Sequence, residues 1–149
     1  MRVVNRKYHR DYEEIESYEA GIALIGGEVK SAKEGNIKLE DSFVKLIGNE
    51  AFLVNAEIQI YKFTRPQGYD PRRTRKLLLH KKELIRLQTK MASGGRLTLA
   101  PVSCYNKGPL IKVQVALSKG RKDLEKQKLV KERDIALNEK REAKEYMKF

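Results

Sequence analysis

Apolar and polar residues alternate with a period of two along several segments of the chain, which predicts half-buried strands. The clearest segment is "GPLIKVQVAL", where every second residue is apolar: Ile111, Val113, Val115 and Leu117. The preceding "RLTLAPVSCY" predicts a partner strand, and "NKGP" at residues 106–109 predicts the turn between them. Together these segments predict a β-hairpin.

Two earlier segments follow the same period. In "EAGIALIG", one side of the predicted strand carries Ala20, Ile22 and Leu24. The longer "SFVKLIGNEAFLVNAEI" divides at Gly48 and Asn49, a turn-prone pair, and therefore predicts two short strands.

Helical periodicity covers less of the chain. Residues 28–34 predict a short helix that ends before Gly35, a residue type favoured just after a helix. Residues 81–92 predict a longer helix, because apolar residues recur there at intervals of three and four: Leu84, Leu87 and Met91. Several short strands with a few helices predict a mainly β fold with flanking helices, a small closed or nearly closed barrel. An α+β sandwich fits the same pattern.

The charge of the chain indicates its class of partner. Lysine and arginine number 32 in 149 residues, against 20 aspartates and glutamates, which gives a formal net charge of +12. This excess predicts a polyanion, and nucleic acid is favoured over a membrane because no apolar run approaches the roughly 18 residues of a spanning helix. A single cysteine and the lack of a signal-peptide pattern predict a cytoplasmic protein.

Few residues are suited to catalysis. The two histidines, His9 and His80, are far apart in the sequence, and Cys104 has no second cysteine with which to bind zinc. The paired glycines of "LIGGEVKSAKEG" lack the spacing of a phosphate-binding loop. The sequence therefore predicts no enzyme, no metal site and no cofactor.

A dense group of cations lies in "DPRRTRKLLLHKKEL", residues 70–84. The first four precede three leucines: Arg72, Arg73, Arg75 and Lys76, then Leu77, Leu78 and Leu79. The segment is either a solvated loop without function or a cationic surface that the leucines anchor to the core. The second interpretation favours RNA, because guanidinium groups suit phosphates and bases and a fixed cationic surface can recognise the shape of a folded RNA.

From Lys119 onward the residues are mostly charged and helix-favouring. Their apolar members form no continuous stripe, so an isolated helix would be marginal in water. We predict a barrel with its helices over residues 1–120 and a basic tail over residues 121–149 that is disordered alone and becomes helical against a partner. A terminal helix docked on the domain is the alternative.

Longer motifs are more specific. The motifs "NRKY", "YEAGIALIGGEVKSAKEG", "LEDSF", "NEAFLVNAEI", "YDPRRTRKLLLHKKEL" and "GPLIKVQVALSKGRK" resemble, in order and spacing, the small protein B family of bacterial SsrA (tmRNA)-binding proteins. The resemblance runs from Asn5 to Lys122 and implies an oligonucleotide-binding-type (OB-fold-like) barrel with a non-enzymatic role in trans-translation. The implied partners are the tRNA-like domain of tmRNA, the decoding region of stalled ribosomes, and elongation factor Tu indirectly through charged tmRNA. We expect a monomer.

The same motifs imply four RNA-facing positions: Asn5, Glu19, Leu78 and Lys112. Nearby cations complete the predicted RNA-binding set: Arg6, Lys7, Arg72, Arg73, Arg75 and Lys76. Because a carboxylate repels phosphate, we expect Glu19 to accept hydrogen bonds from bases or 2′-hydroxyls, or to orient an arginine. Leu78 is either a core residue or an RNA contact. A core position predicts that Leu78→Ala lowers stability by about 2–5 kcal/mol.

The tail carries the predicted ribosome-binding cations: Lys119, Arg121, Lys122, Lys126, Lys128, Lys131 and Arg133. The resemblance implies that it folds as a helix in the empty messenger channel. The sequence departs from the family where a "DKR"-like trio is typical, because Glu125, Lys126 and Gln127 stand there. The alternatives to this function are a general basic RNA-binding or ribosome-associated barrel and a small basic nuclease.

Overall fold

Nine strands and three helices lie in the part of the chain that the computed structural model describes, which is residues 1–60 and 68–121 together with Arg133 and Ile135. The strands are β1 (Arg2–Val4), β2 (Tyr12–Ile22), β3 (Ile37–Lys38), β4 (Phe43–Ile47), β5 (Glu50–Val54), β6 (Glu57–Ile58), β7 (Arg75–Leu78), β8 (Leu97–Lys107) and β9 (Leu110–Gly120). The helices are α1 (Tyr8–Asp11), α2 (Gly26–Lys33) and α3 (Lys81–Ala92). No described helix is long and apolar enough to cross a membrane.

The strands close into a barrel. The hydrogen-bonded order is β8, β4, β5, β7, β2 and β9, and β9 pairs again with β8, so that six antiparallel strands form a ring. Strand β1 pairs edge to edge with residues 103–105 of β8 in the same sheet, and β3 pairs separately with β6. A closed ring leaves few unpaired edges and holds the outer side chains at fixed spacings. The predicted mainly β fold with flanking helices is confirmed.

The core lies inside this ring and follows the predicted alternation. On β9 the four predicted inward residues are all buried: Ile111, Val113, Val115 and Leu117. Leu53 of β5, Leu77 of β7 and Leu99 of β8 meet them from the other walls. Ala116 faces away from this core yet is also buried, because Tyr8 of α1 covers it in a second apolar cluster.

Both predicted helices are present. Helix α3 has the predicted bounds, and the backbone N–H of His80 donates to the Glu83 carboxylate at 3.1 Å at its start. Helix α2 begins at Gly26, two residues earlier than predicted, because the Glu28 carboxylate accepts the backbone N–H of Ile25 at 3.1 Å. It ends before Gly35, which has a φ of +85° as expected of a residue that follows a helix.

Strand β2 is much longer than its apolar pattern predicts. It begins at Tyr12, although most of residues 12–19 are exposed or only half-buried and show weak alternation. Backbone pairing with β9, which runs from Tyr12 opposite Gly120 to Gly21 opposite Lys112, holds this segment extended.

Candidate nucleic-acid interface

Three adjacent strands bring together three residues of the outer barrel wall. Gly21 on β2 lies opposite Lys112 of β9 on one side and opposite Leu78 of β7 on the other. Directly opposite residues share a face, and the buried neighbours Ala20, Leu77 and Val113 occupy the inner face. Lys112, Gly21 and Leu78 therefore form one row on the outside.

The row continues onto two more strands. Tyr105 of β8 lies opposite Lys112, and Arg2 of β1 lies opposite Tyr105. The Arg2 guanidinium carbon is 5.2 Å from the centre of the Tyr105 ring, within the range of a cation–π contact. We call these five residues the outer row: Arg2, Tyr105, Lys112, Gly21 and Leu78.

Glu19 lies one step along β2 from the outer row, opposite Gln114. Its carboxylate accepts hydrogen bonds from the Tyr105 hydroxyl and, at 3.3 Å, from the Lys107 ammonium group. The hydrogen bond from Tyr105 lowers the pKa of Glu19, and the charges of Lys107 and Lys112 lower it further. Glu19 is therefore an ionised acceptor that orients a tyrosine and a lysine in place of the expected arginine, and its expected hydrogen bonds with RNA stay a prediction.

The exposure of the Leu78 side chain decides between a core position and an RNA contact for this residue. Leu78 is 54% exposed, whereas Leu77 is 2% exposed. Successive residues of a strand point to opposite faces, so Leu77 and Leu78 of β7 cannot both enter the core. The core interpretation of Leu78 is therefore wrong, and the buried position on which the predicted loss of about 2–5 kcal/mol for Leu78→Ala depended is not present.

Arg75 is a second correction, because it lies in the core with no exposed surface. Its Nε donates to Glu28 at 2.8 Å. The other guanidinium N–H groups donate to the carbonyls of Ala56, Arg73 and Pro71 at 2.6, 3.0 and 2.9 Å and to the Tyr69 hydroxyl at 3.2 Å. All five donors are used within the chain, so the predicted direct contact of Arg75 with RNA is wrong.

The buried carboxylate of Glu28 is the reason why the cationic segment of residues 70–84 can lie against the core. This carboxylate is fully buried and accepts hydrogen bonds from Arg73, Arg75, the Tyr69 hydroxyl and the Ile25 backbone. Burial alone would raise the pKa of Glu28, but the hydrogen bonds from Arg73, Ile25 and Arg75 outweigh it and hold the pKa below its usual range. The buried negative charge fixes the arginines beside helix α2.

The remaining cations of this segment are more open. Arg72 is exposed, and the exposed Lys76 donates to Glu50 at 3.0 Å across the neighbouring strands β7 and β5. The Arg73 side chain is 33% exposed although it pairs with Glu28. Arg72 and Lys76 therefore remain available to an external anion, and Arg73 remains so in part.

The N-terminal residues of the predicted RNA-binding set also differ in how far they are exposed. Asn5 is only 5% exposed, its amide donates to the Pro101 carbonyl at 2.9 Å, and its side-chain oxygen accepts the Lys7 backbone N–H at 3.2 Å. These bonds shape the turn into α1 and engage the Asn5 side chain within the chain, so its role toward RNA stays a prediction. Arg6 is exposed, and Lys7 forms an ion pair with Asp41 at 3.3 Å.

Few of the predicted tail residues lie in the described part of the chain. Lys119 is exposed at the end of β9, and Arg133 is helical and exposed. The Arg121 Nε donates to the carbonyls of His9 and Tyr12 at 3.1 and 3.2 Å, so this guanidinium binds the backbone around α1. Four predicted cations lie outside the described residues: Lys122, Lys126, Lys128 and Lys131.

Residues 1–60 and 68–121 offer no group of three or more histidine, cysteine, aspartate or glutamate side chains placed to hold a metal ion. Cys104 is buried on β8, and burial raises the pKa of its thiol to about 12. It is therefore a packing residue and a poor nucleophile.

Comparison with known proteins places this barrel in a family. Residues 2–145 match the family described as SmpB protein. The chain belongs to the SmpB family. An SsrA-binding protein of Persephonella marina is 45% identical over 131 residues, which cover 88% of this chain and 86% of the relative. One of Coprothermobacter proteolyticus is 46% identical, with 94% of each chain covered.

A solved structure is also similar. It is described as "tmRNA-SmpB: a journey to the center of the bacterial ribosome", and its matching chain is 44% identical to this one with a TM-score of 0.66. The similarity covers 82% of this chain and 85% of that chain. Both sequence and structure thus relate the barrel to SmpB proteins over most of its length.

Sequence reasoning missed three residues on this face of the SmpB barrel: Arg2, Tyr105 and Lys107. The sequence did contain a signal for Tyr105. A tight turn after Lys107 places Lys107 opposite Leu110, and the register of the hairpin then places Tyr105 opposite Lys112. The pairing of Arg2 with Tyr105 joins residues more than a hundred positions apart and has no local sequence signal.

Proposed function

We propose that this chain is a non-enzymatic RNA-binding protein of trans-translation. It binds the tRNA-like domain of tmRNA and brings it to stalled ribosomes for rescue and peptide tagging. The observation that carries this proposal is the outer row, in which a lysine, a glycine gap and an exposed leucine lie side by side on three strands of a closed barrel.

The chemistry of this face suits a folded RNA. Arg2, Lys107 and Lys112 supply three positive charges against the single carboxylate of Glu19, and Tyr105 and Leu78 add an aromatic and an apolar surface. Cations contact phosphates, and flat or apolar side chains contact unstacked bases. Because the barrel ring closes, these groups keep fixed spacings that can match the shape of one RNA.

The ribosomal part of the proposal concerns the tail, residues 121–149. Its cations act near the decoding centre and messenger channel of the small subunit, and elongation factor Tu is a partner only through charged tmRNA. Resemblance to the family and the basic, helix-favouring composition of the tail support this assignment. In this proposal the protein acts in the cytoplasm as a monomer.

A competition experiment tests the proposal. Labelled tmRNA bound to the protein is challenged in gel shifts with its unlabelled tRNA-like domain or with an unrelated hairpin of equal length. We expect the tRNA-like domain to compete at least tenfold better. Equal competition would reduce the function to general RNA binding by a basic barrel. Metal-dependent cleavage of either RNA would instead indicate a nuclease, and we expect none with Mg²⁺ present.

A further inference from the structure

A groove runs along strand β1, on the side away from its partner strand β8. It has a volume of about 550 Å³, and Arg2, Val3 and Val4 of β1 all line it. Successive residues of a strand point to opposite faces, so a groove that three successive residues line follows an edge of the strand and not one face. Strand β8 occupies one edge of β1, and no described strand pairs with the other. The groove therefore lies beside an unpaired strand edge.

This edge presents the backbone groups of Arg2 and Val4. The backbone N–H of Asn5 donates to the Val102 carbonyl at 2.8 Å, and the register of β1 against β8 continues without a shift back to Arg2. In an antiparallel pair only every second residue exchanges hydrogen bonds with the partner strand. Val3 and Asn5 therefore bond β8, whereas Arg2 and Val4 point their N–H and C=O groups away from it. Such an edge is a template for pairing with another extended chain.

The charges around the groove are mostly positive. Arg2 and the exposed Arg6 lie on the β1 side, and Lys38 lies on the opposite wall, which residues 35–40 form. The Lys38 side chain is 73% exposed, although its ammonium group lies 3.7 Å from the Glu57 carboxylate. Glu40 is the only carboxylate among the described residues that line the groove. Three cations against one carboxylate favour an anionic occupant.

We propose that this groove docks an extended acidic peptide segment of a partner protein, which adds a strand to β1. Backbone hydrogen bonds to Arg2 and Val4 hold the added strand, and its carboxylates lie against Arg6 and Lys38. The inference goes beyond the proposed function and does not depend on it.

Two other occupants fit the groove less well. A second copy of this chain would bring its own Arg2 and Arg6 against the same cations, and like charges repel. An RNA strand would offer phosphates to the cations, but its sugar–phosphate backbone lacks the regular N–H and C=O groups that a strand edge pairs with.

Fluorescence anisotropy with the full chain tests the inference. The probe is a labelled eight-residue peptide in which valine and glutamate alternate, and we expect saturable binding. Two further peptides carry N-methyl groups on the valine amides or on the glutamate amides, which removes the donors of one strand edge without changing the charge. One of the two should bind about tenfold more weakly, because its methylated edge faces β1 and loses backbone hydrogen bonds. The other should bind about as well as the parent peptide.

Hydrogen exchange followed by NMR locates the added strand. Saturation with the parent peptide should slow exchange of the Val4 N–H by about fivefold or more and leave that of the Val3 N–H, which already bonds β8, near its free rate. Arg6→Gln should weaken peptide binding about threefold, as expected for an exposed ion pair. Lys45→Gln replaces an exposed lysine of β4 outside the groove and is the matched control, with affinity near native. Melting temperatures check that both variants fold.

Three results would overturn the docking of a strand. The first is absence of peptide binding, and the second is equal binding of all three peptides, which would reduce the contact to attraction between charges. The third is an eight-residue oligouridylate that binds more tightly than the peptide and is weakened by Arg6→Gln, which would make the groove an RNA contact. The peptide measurements contain no RNA, so their failure would leave the proposed binding of tmRNA standing.

Discussion

Replacing Glu28 with glutamine is expected to lower the free energy of unfolding by about 3–5 kcal/mol, the usual effect of breaking a buried ion pair from one side. Glutamine keeps the shape of the side chain but removes the charge that faces Arg75 and Arg73. The Arg75 guanidinium has no exposed surface, so water cannot replace the lost partner. Urea denaturation measures the change.

Glu34→Gln is the control for this prediction, because Glu34 lies exposed just after the same helix and should change stability by no more than about 0.5 kcal/mol.

The pKa of Glu28 is depressed in the fold, so its stabilisation is present above the unfolded value of about 4.3 and is lost as pH falls through the lower folded pKa. Native and Glu28→Gln proteins should therefore converge in stability in acid. A Glu28→Gln protein that keeps native stability but binds RNA poorly would contradict this prediction. It would show that the pairing of Glu28 with Arg73 and Arg75 organises the RNA-binding surface without stabilising the fold.

Deleting residues 123–149 is expected to abolish tagging on stalled ribosomes while leaving barrel stability and affinity for tmRNA largely intact. The six-stranded ring is complete at Gly120, so the deletion removes none of the strands of the ring. The tail favours helix but has no apolar stripe. Ordering some 25 residues alone would cost roughly 1–2 kcal/mol each in backbone entropy, and a ribosomal RNA surface would supply the compensating contacts.

Three measurements check this division of labour: melting temperature, tmRNA affinity, and transfer of the tag in a reconstituted translation system. A chain with a scrambled tail of the same composition is the control, and it should also fail to tag if the order of residues matters beyond charge. Circular dichroism of the tail peptide should show little helix in buffer and much more in a helix-promoting solvent. A truncated chain that still tags, or one that loses tmRNA binding, would contradict the prediction.

Local sequence patterns predicted those strands and helices that have one apolar face and one polar face. The alternation of β9 and the three- and four-residue spacing of α3 both place apolar residues on one side, and the structure follows both. The first half of β2 carries no such contrast, since pairing with β9 and not burial keeps it extended. Its true start at Tyr12 was therefore not predictable from its own residues.

Within the cationic segment, the sequence could not show which side chains point into the core. The register of β7 determines this. The strand begins at Arg75, which points inward with Leu77, so Leu78 points outward. A shift of one residue would reverse every assignment. The inward arginine is acceptable only because Glu28, 47 positions away, supplies its counter-charge, and no local pattern reveals such a partner.

The motifs placed Glu19, Leu78 and Lys112 in the RNA-facing set, and the structure brings these three together on β2, β7 and β9. Asn5, taken from the same resemblance, lies buried in the turn before α1. A motif identifies which residues matter but does not say whether a residue touches RNA or shapes the surface that does.

The salt dependence of RNA affinity tests the central claim, that the outer row touches RNA through Lys112 and Leu78. In a plot of log affinity against log salt concentration, Lys112→Ala should reduce the magnitude of the slope by about 0.7–0.9, one phosphate contact. Leu78→Ala should weaken binding with the slope unchanged, and both variants should melt at the native temperature. Lys45→Ala, an exposed lysine of β4, is the control and should leave both affinity and slope near native values. Equal slope changes for Lys112→Ala and Lys45→Ala, or native affinity for Leu78→Ala, would contradict the assignment of this face.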